Sequence, residues 1–475
     1  MAPLRLTAAL ALGAAALLAP APDASPQGTV DNERGGAWPR RARAEAARTW
    51  RVGGPGADFP FIAPAVAAAA DGDEIVVQPG VYREDLVLRR TVSLRGVRSP
   101  VLMGTGEGTV ILVEAPGCAI TGFVIEGSGT GLTNRMDAAV TLASSGNRVA
   151  GNRMRRVFYG VVVAGASRNE IVGNEIVGFT DLPFGRRGDG IYLYHSPDNL
   201  VQDNRVVGQR DAIYFQYAPR GRALGNVVED SRYGLHDMFS DDAVIAGNTF
   251  RGCSAGANVM NSRRVTIRGN RFERNRGIAS AGLSLKDVDA SLVEDNEAVD
   301  NAHGLKVDGS TANRFVGNRF AGNDTAVVLF ASAEGNVFTA NAFARNGSDV
   351  VVRGRFSRTS WSESGRGNHW ERYRGFDFDG DGVGETPHPV LGAFERIEGN
   401  NEAARLFLRS PAAWALELAA RLSLPARTDV FDPAPLVSRP RAPKPAPPAT
   451  RTRGFWFAGA MAAGLAGIGW WRPRW

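Results

Sequence analysis

Cysteine is nearly absent. Only Cys118 and Cys253 occur in 475 residues, which excludes a disulfide scaffold and a Cys-rich metal protein. Lysine is almost as scarce, at positions 286, 306 and 444, so nearly all the cationic charge is arginine. The formal charge is +6, from 55 Lys+Arg against 49 Asp+Glu, too small and scattered an excess to argue for a nucleic-acid partner. The central chain also lacks helical hydrophobic periodicity. Length alone does not count domains, because repetitive β architectures run long as one unit.

What is there instead is a repeat. Asn follows Gly or Asp at 152, 174, 204, 226, 248, 270, 296 and 318, and Asn341 continues the series. The steps are 22, 30, 22, 22, 22, 26, 22 and 23 residues. A 22-residue period of short Val, Ile and Leu strands joined by Gly and Asn turns suits one rung of a right-handed parallel β-helix, an all-β fold. Asn at a fixed point tolerates turn conformations and can hydrogen-bond up a ladder. "VSLRG" and "CAITG" occupy the same slot earlier in the chain. The expectation is about eleven rungs, roughly 50 Å at about 4.8 Å each. The Ala-rich "FIAPAVAAAADGDEIVVQPGVY" supplies an N-terminal capping helix and a first strand.

The period places each residue on the cross-section. Upstream of the ladder Asn, inward pairs are Ile191/Leu193, Ile213/Phe215, Ala257/Val259, Leu283/Leu285 and Leu305/Val307, and the equivalent pair in "YGLHDM" is Leu235/Asp237. Side chains alternate faces along a strand, so His236 and Met238 point outward. Tyr192, Tyr214 and Asn258 share the His236 column, and Tyr194, Gln216, Met260 and Lys286 share the Met238 column. His236, Met238 and Met260 form a soft imidazole and thioether set, which selects Cu(I) over Mg, Ca or Zn. The other reading of Tyr192, Tyr194, His195, Tyr214 and Lys286 with these residues is a protein-binding patch. Asp237 is the misfit: an unpaired carboxylate in an apolar barrel is costly, so it either has a buried partner or joins the binding face. Cys118 and Cys253 fall about five rungs and some 24 Å apart, too far to pair, and read as buried fillers.

Beyond the repeat, "DFDGDGVGE" puts Asp377, Asp379, Asp381 and Glu385 around Gly382 with the spacing of a calcium loop. His388 stands where such a loop places its bidentate Glu. "NEAARLFLRSPAAWALELAARLSLP", interrupted by Pro411, reads as two short amphipathic helices. The ends carry address labels. Residues 1–24 have the layout of an export signal. At the other end, Pro-rich 441–454 reads as a spacer and the uncharged Phe455–Trp471 run as a membrane anchor or a sorting signal that is cut off. Between them lie an extension over 25–59, the capped β-helix over 60–358 and a C-terminal acidic loop with helices over 359–440.

The segments "GDGIYLYHSPDNLVQDN", "RDAIYF", "YGLHDMFSDD", "GNHWERYRGFDFDGDGVGETPHPV", "ARLFLRSPAAWALELA" and "DPAPL" resemble the NosD family over about residues 60–440. The resemblance implies a periplasmic, non-catalytic accessory protein for maturation of nitrous-oxide reductase. It implies work with the permease and ATPase subunits of an ABC transporter, and with a copper chaperone, in furnishing the reductase's copper centres. Asp237 departs from the family, where an aromatic residue is expected between the His and the Met. The rival is a polysaccharide lyase or epimerase of the β-helix type, which would recruit Tyr192, Tyr214, His236 and Lys286 to proton abstraction. Against it, the face shows one Lys and no clustered Arg. The tail reading is checked by fractionation: the native chain should sediment with the inner membrane and become soluble when residues after about 445 are deleted.

Overall fold

Three short strands make each rung, and stacked rungs make the molecule. The computed structural model describes residues 47–131, 136–277, 280–354, 358–407, 410–422 and 430–440. They coil into a right-handed parallel β-helix of three sheets. The first sheet runs from Thr49–Val52 to Val337–Thr339 and the second from Val81–Arg83 to His369–Trp370, with 13 strands each. The third runs from Leu86–Leu88 to Ser348–Arg353 and has 12. The solenoid is therefore longer than eleven rungs. It begins inside the stretch assigned to the N-terminal extension, where the first rungs pair by backbone register without the Gly-Asn signature, and it ends past residue 358, where Gly367-Asn368 continues that signature after a longer step of 27 residues.

The Gly-Asn and Asp-Asn dipeptides have a backbone cause. From Asn152 to Asn341 the residue before each ladder Asn sits in the left-handed region, as at Asp203 (φ 53°), Gly225 (φ 63°), Gly247 (φ 65°) and Asp295 (φ 53°). Gly and Asp are among the residues that tolerate this conformation best. The Asn that follows turns inward and is buried. Asn248 Oδ1 accepts from the backbone N–H and the Nδ2 of Asn226, each at 2.9 Å. Its own Nδ2 donates to the Ala223 carbonyl at 2.8 Å and to Asn270 Oδ1 at 2.9 Å. The same pattern runs from Asn152 to Asn368. Shorter ladders flank it at Asn147, Asn169 and Asn199 and at Asn275, Asn301, Asn323 and Asn346.

Inside the barrel the columns are apolar, with ring stacks such as Phe250 on Phe272 at 5.4 Å and Phe315 on Phe338 at 4.2 Å. Cys118 and Cys253 are free and buried in this core, as the spacing requires. Helix α1 (Ile62–Ala68) closes the N-terminal end with Ile62 and Ala65 buried. Glu84 accepts its first two amides at 2.9 and 2.7 Å. At the other end Asp432 Oδ2 terminates the ladder, accepting from Asn368 N at 2.7 Å and Trp370 Nε1 at 2.9 Å. Helices α2 (Ala393–Asn400) and α3 (Pro411–Leu422) follow the solenoid, with a 3-10 segment over Glu402–Phe407 between them. Pro411 thus begins a helix, a position its fixed φ suits, and the earlier helix lies before the segment singled out by sequence. No helix among the described residues is long and apolar enough to cross a membrane. The export signal, the Pro-rich spacer and the 455–471 run lie outside the described residues.

Asp237 faces the core, so it is not part of a binding surface as one sequence reading had it. It is 0 % exposed. Its Oδ1 accepts from Ser262 Oγ at 2.8 Å and its Oδ2 has no partner. Burial pushes this carboxyl up to about 8.

Two measurements follow. Asn248→Ala strands the buried Asn226 amide and the Ala223 carbonyl, and should cost on the order of 3 kcal/mol in denaturant unfolding. For Asp237, the folded state holds its proton to a higher pH than the unfolded chain, which ionises near 3.9. Stability should therefore fall as pH rises from about 4 to about 8. Asp237→Asn should flatten that fall and stabilise the protein at neutral pH, read as a raised denaturant midpoint that no longer drops across this interval.

Candidate functional site

The outer face of the third sheet carries the residues that the repeat set apart. Strands Ile191–Tyr194, Asp211–Gln216, Tyr233–Met238, Ala255–Arg263 and Leu283–Asp289 lie in register. One column reads Tyr192, Tyr214, His236, Asn258, Ser284, and the next reads Tyr194, Gln216, Met238, Met260, Lys286. Both columns match the expectation from the 22-residue period. At the N-terminal side this face holds a small apolar cluster separate from the barrel core, in which Ala138, Val162 and Tyr192 are buried under Tyr159, Ala164, Tyr194 and Tyr214. At the C-terminal side α2 covers it, with Glu398 accepting from Thr325 Oγ1 at 2.9 Å and Ser348 Oγ at 2.8 Å. Between them His236, Met238 and Met260 are half-buried and Lys286 is exposed.

Aromatic rings hold His236 in place. Its ring lies flat on Tyr214 (4.4 Å, 6°) and meets Tyr233 edge-on at 5.2 Å. Tyr214 stacks in turn on Tyr192 at 4.9 Å. Tyr214 Oη donates to Met238 Sδ at 3.6 Å, and Asn258 Nδ2 donates to Met260 Sδ at 3.2 Å. Nδ1 of His236 is 3.0 Å from Asp211 Oδ2, while Nε2 is buried without a partner. An orphaned imidazole nitrogen beside two thioethers fits a soft ion better than a hard one. Neighbouring rungs are about 4.8 Å apart and same-face strand positions about 7 Å, within reach of flexible Met side chains.

Several neighbours escaped the sequence reading. Asp189 and Asp211 are buried, and each is gripped from the next rung by an Arg: Arg210 holds Asp189 at 3.0 and 2.8 Å, and Arg232 holds Asp211 at 3.0, 2.6 and 2.9 Å. Burial and the neighbouring Asp211 charge push Asp189 up to about 6, against the opposing pull of Arg210. The signal was available, since Asp189, Asp211 and Tyr233 are spaced by one period each. At the adjacent corner His195, Tyr217 and Phe239 stack at 4.6 and 5.0 Å, all three at positive φ. His195 thus leaves the strand and, with Tyr194 edge-on at 4.4 Å, extends the aromatic surface around the corner. Tyr192 is 7 % exposed, so it supports this surface more than it forms it.

The acidic loop is set apart from this face in the chain. Ligand oxygens of Asp377, Asp379 and Glu385 lie within 4.8 Å of one another, and Asp381 is not part of the group. Its Oδ1 accepts from the Val383 amide at 2.7 Å instead. Asp377 accepts from the Gly380 and Gly382 amides at 2.7 and 2.9 Å, and Glu385 from Phe378 N at 2.8 Å. The carboxylates also order the loop through its own amides.

Comparison with known proteins places the chain by fold and by family. A family model for right-handed β-helix regions matches residues 105–237, and one described as periplasmic copper-binding protein (NosD) matches residues 172–375. A Pseudomonas aeruginosa protein named as a probable ABC transporter binding protein NosD is 39% identical over 393 residues, covering 79% of this chain and 91% of its own. A Stutzerimonas stutzeri protein of the same name is 37% identical over 348 residues, covering 70% and 79%. Among solved structures, a PL6 alginate lyase in complex with a trisaccharide superposes with a TM-score of 0.51 at 13% identity over 65% of this chain and 81% of its own, a likeness of fold alone. With identity of this level across nine-tenths of a curated relative, over a solenoid that carries the His-x-Met rung, the chain belongs to the NosD family.

Proposed function

We propose that this chain is a non-catalytic periplasmic accessory protein that docks an ABC transporter to apo-nitrous-oxide reductase and passes Cu(I) to it across the His236, Met238 and Met260 face. The observation that carries the reading is the half-buried soft donor set, with an imidazole nitrogen left without a partner. Neutral imidazole and thioether ligands bind Cu(I) and release it by exchange, which suits a cargo rather than a resident cofactor. The family's description as copper-binding and the relatives' transporter-binding names support it. A copper chaperone upstream and the reductase downstream are the partners between which such a face would act.

Docking has its own surface. Leu406, Phe407, Trp414 and Leu418 are exposed at 86, 57, 70 and 43 % on the C-terminal helical segment. Exposed apolar residues of this size suit an interaction surface, and the transporter permease is the partner we assign to it. The 455–471 run would hold the chain near that permease in the inner membrane.

The lyase or epimerase reading fares worse on the same face. Tyr214 is pushed up to about 12, chiefly by burial, and Tyr192 is raised still further for the same reason. Phenols held neutral this strongly are poor bases for proton abstraction at neutral pH.

The test replaces His236 and Met238 by Ala together. The fold should survive, since both point out of the core, and the reductase purified from such cells should be poor in copper by elemental analysis and by its visible spectrum. A normally loaded reductase would show that the site is assigned wrongly.

A further inference from the structure

His236 does not stand alone. Asp211, one rung before it and 1 % exposed, receives Nε of Arg232 at 3.0 Å and Nη2 at 2.6 and 2.9 Å. Each of these contacts is a guanidinium N–H donating to a carboxylate oxygen, so Asp211 faces its neighbours as an acceptor. The hydrogen between Asp211 Oδ2 and His236 Nδ1, 3.0 Å apart, therefore belongs to the imidazole. At the far side of the ring, Nε2 is buried with no partner.

We propose that Asp211, clamped by Arg232, is the positioning residue that fixes His236 as the Nδ1–H tautomer and so presents the Nε2 lone pair as a ligand for Cu(I) together with Met238. The inference rests on the transfer reading above and adds the groups that make His236 a donor rather than packing. A ring nitrogen bonded to a carboxylate is the usual way proteins set the tautomer and aim the opposite nitrogen at a metal. Here the ring is also locked mechanically. Tyr214 covers one face at 4.4 Å and 6°, and Tyr233 abuts the edge at 5.2 Å. Turning the imidazole over would put a carbon against the Asp211 carboxylate and forfeit the bond.

The rung below serves as an internal control. Asp189 is gripped by Arg210 in the same manner. The residue at the His236 position of that rung is Tyr214, whose hydroxyl goes to Met238 Sδ. Asp189 Oδ1 takes the Asp211 backbone N–H at 3.1 Å instead. The clamp is thus a repeated element of the solenoid, and at Asp211 it has been joined to an imidazole.

The experiment uses the full chain as wild type, Asp211→Ala, Asp211→Asn and His236→Ala. Nitrogen-15 spectra of the histidine rings in metal-free protein report the tautomer, and competition with bicinchoninate reports Cu(I) affinity. His236 should carry its proton on Nδ1 in the wild type. In Asp211→Ala that preference should be lost and Cu(I) should bind about 10- to 100-fold more weakly. Asp211→Asn, whose Oδ1 still accepts from Nδ1–H, should keep the tautomer and lose less affinity, and it serves if the alanine variant does not fold. A wild-type proton on Nε2, or an Asp211→Ala chain with unchanged tautomer and affinity, overturns the inference. Equal Cu(I) affinity in wild type and His236→Ala overturns the transfer reading and the ligand half of this one, even where the tautomer is as described.

Discussion

Parallel rungs leave one problem that backbone pairing does not solve: at each corner the chain must turn, and amides and carbonyls buried there still need partners. The Asn ladder is the solution on which the rest of the structure depends. An Asn side chain repeats the donor and acceptor geometry of a peptide unit, so a column of them continues the sheet's hydrogen bonding through the turn, as between Asn226, Asn248 and Asn270. Because every member is buried and both its groups are satisfied, the column is stabilising only when complete. That requirement fixes the rung length near 22 residues and pushes the longer rungs' extra residues into loops, such as the one containing the 3-10 turn at Phe184–Arg186.

A ladder must also stop somewhere. Its last member finds a carboxylate, Asp432, supplied by a strand 64 residues away in the chain. At the opposite end Asp73 does comparable work, accepting from Arg48 N at 2.8 Å and Trp50 Nε1 at 2.9 Å. Charged acceptors suit these places because they can take several amides at once. Their bonded amides hold the Asp73 carboxyl below its ordinary range, whereas burial raises Asp432 despite its partners.

The candidate site is a by-product of this strict register. Once rungs repeat, any residue placed at one position is brought beside its counterparts above and below, and aromatic rings there stack without further design. Tyr192, Tyr214 and His236 form such a column, and His195, Tyr217 and Phe239 form another. Stacking costs the rings their mobility, so the face keeps one arrangement without reorganisation. Asp237 is the cost of the same register. Alternation that presents His236 and Met238 outward must turn residue 237 inward, where its carboxyl is held neutral by burial.

The period of the Asn residues, read alone, determined the fold class, the inward and outward sides of each strand, and the two columns of the outer face, because a parallel solenoid converts sequence spacing directly into spatial adjacency. It also determined that Cys118 and Cys253 stand apart. What it left open was every question of direction off the lattice. Whether Asp237 bulged outward or stayed buried depended on backbone geometry that no period encodes. The spacing of Asp189, Asp211 and Tyr233 marked the column but not the bonds of Arg232, Asp211 and His236, which join three different positions of the repeat and come within 3.0 Å only by side-chain rotation. Which carboxylates of the acidic loop converge, Asp377, Asp379 and Glu385 but not Asp381, was likewise set by the folded path of the loop. Spacing fixes which residues are neighbours, and the choice of hydrogen-bond partner among them is made by the tertiary structure, where desolvation makes an unpaired group expensive.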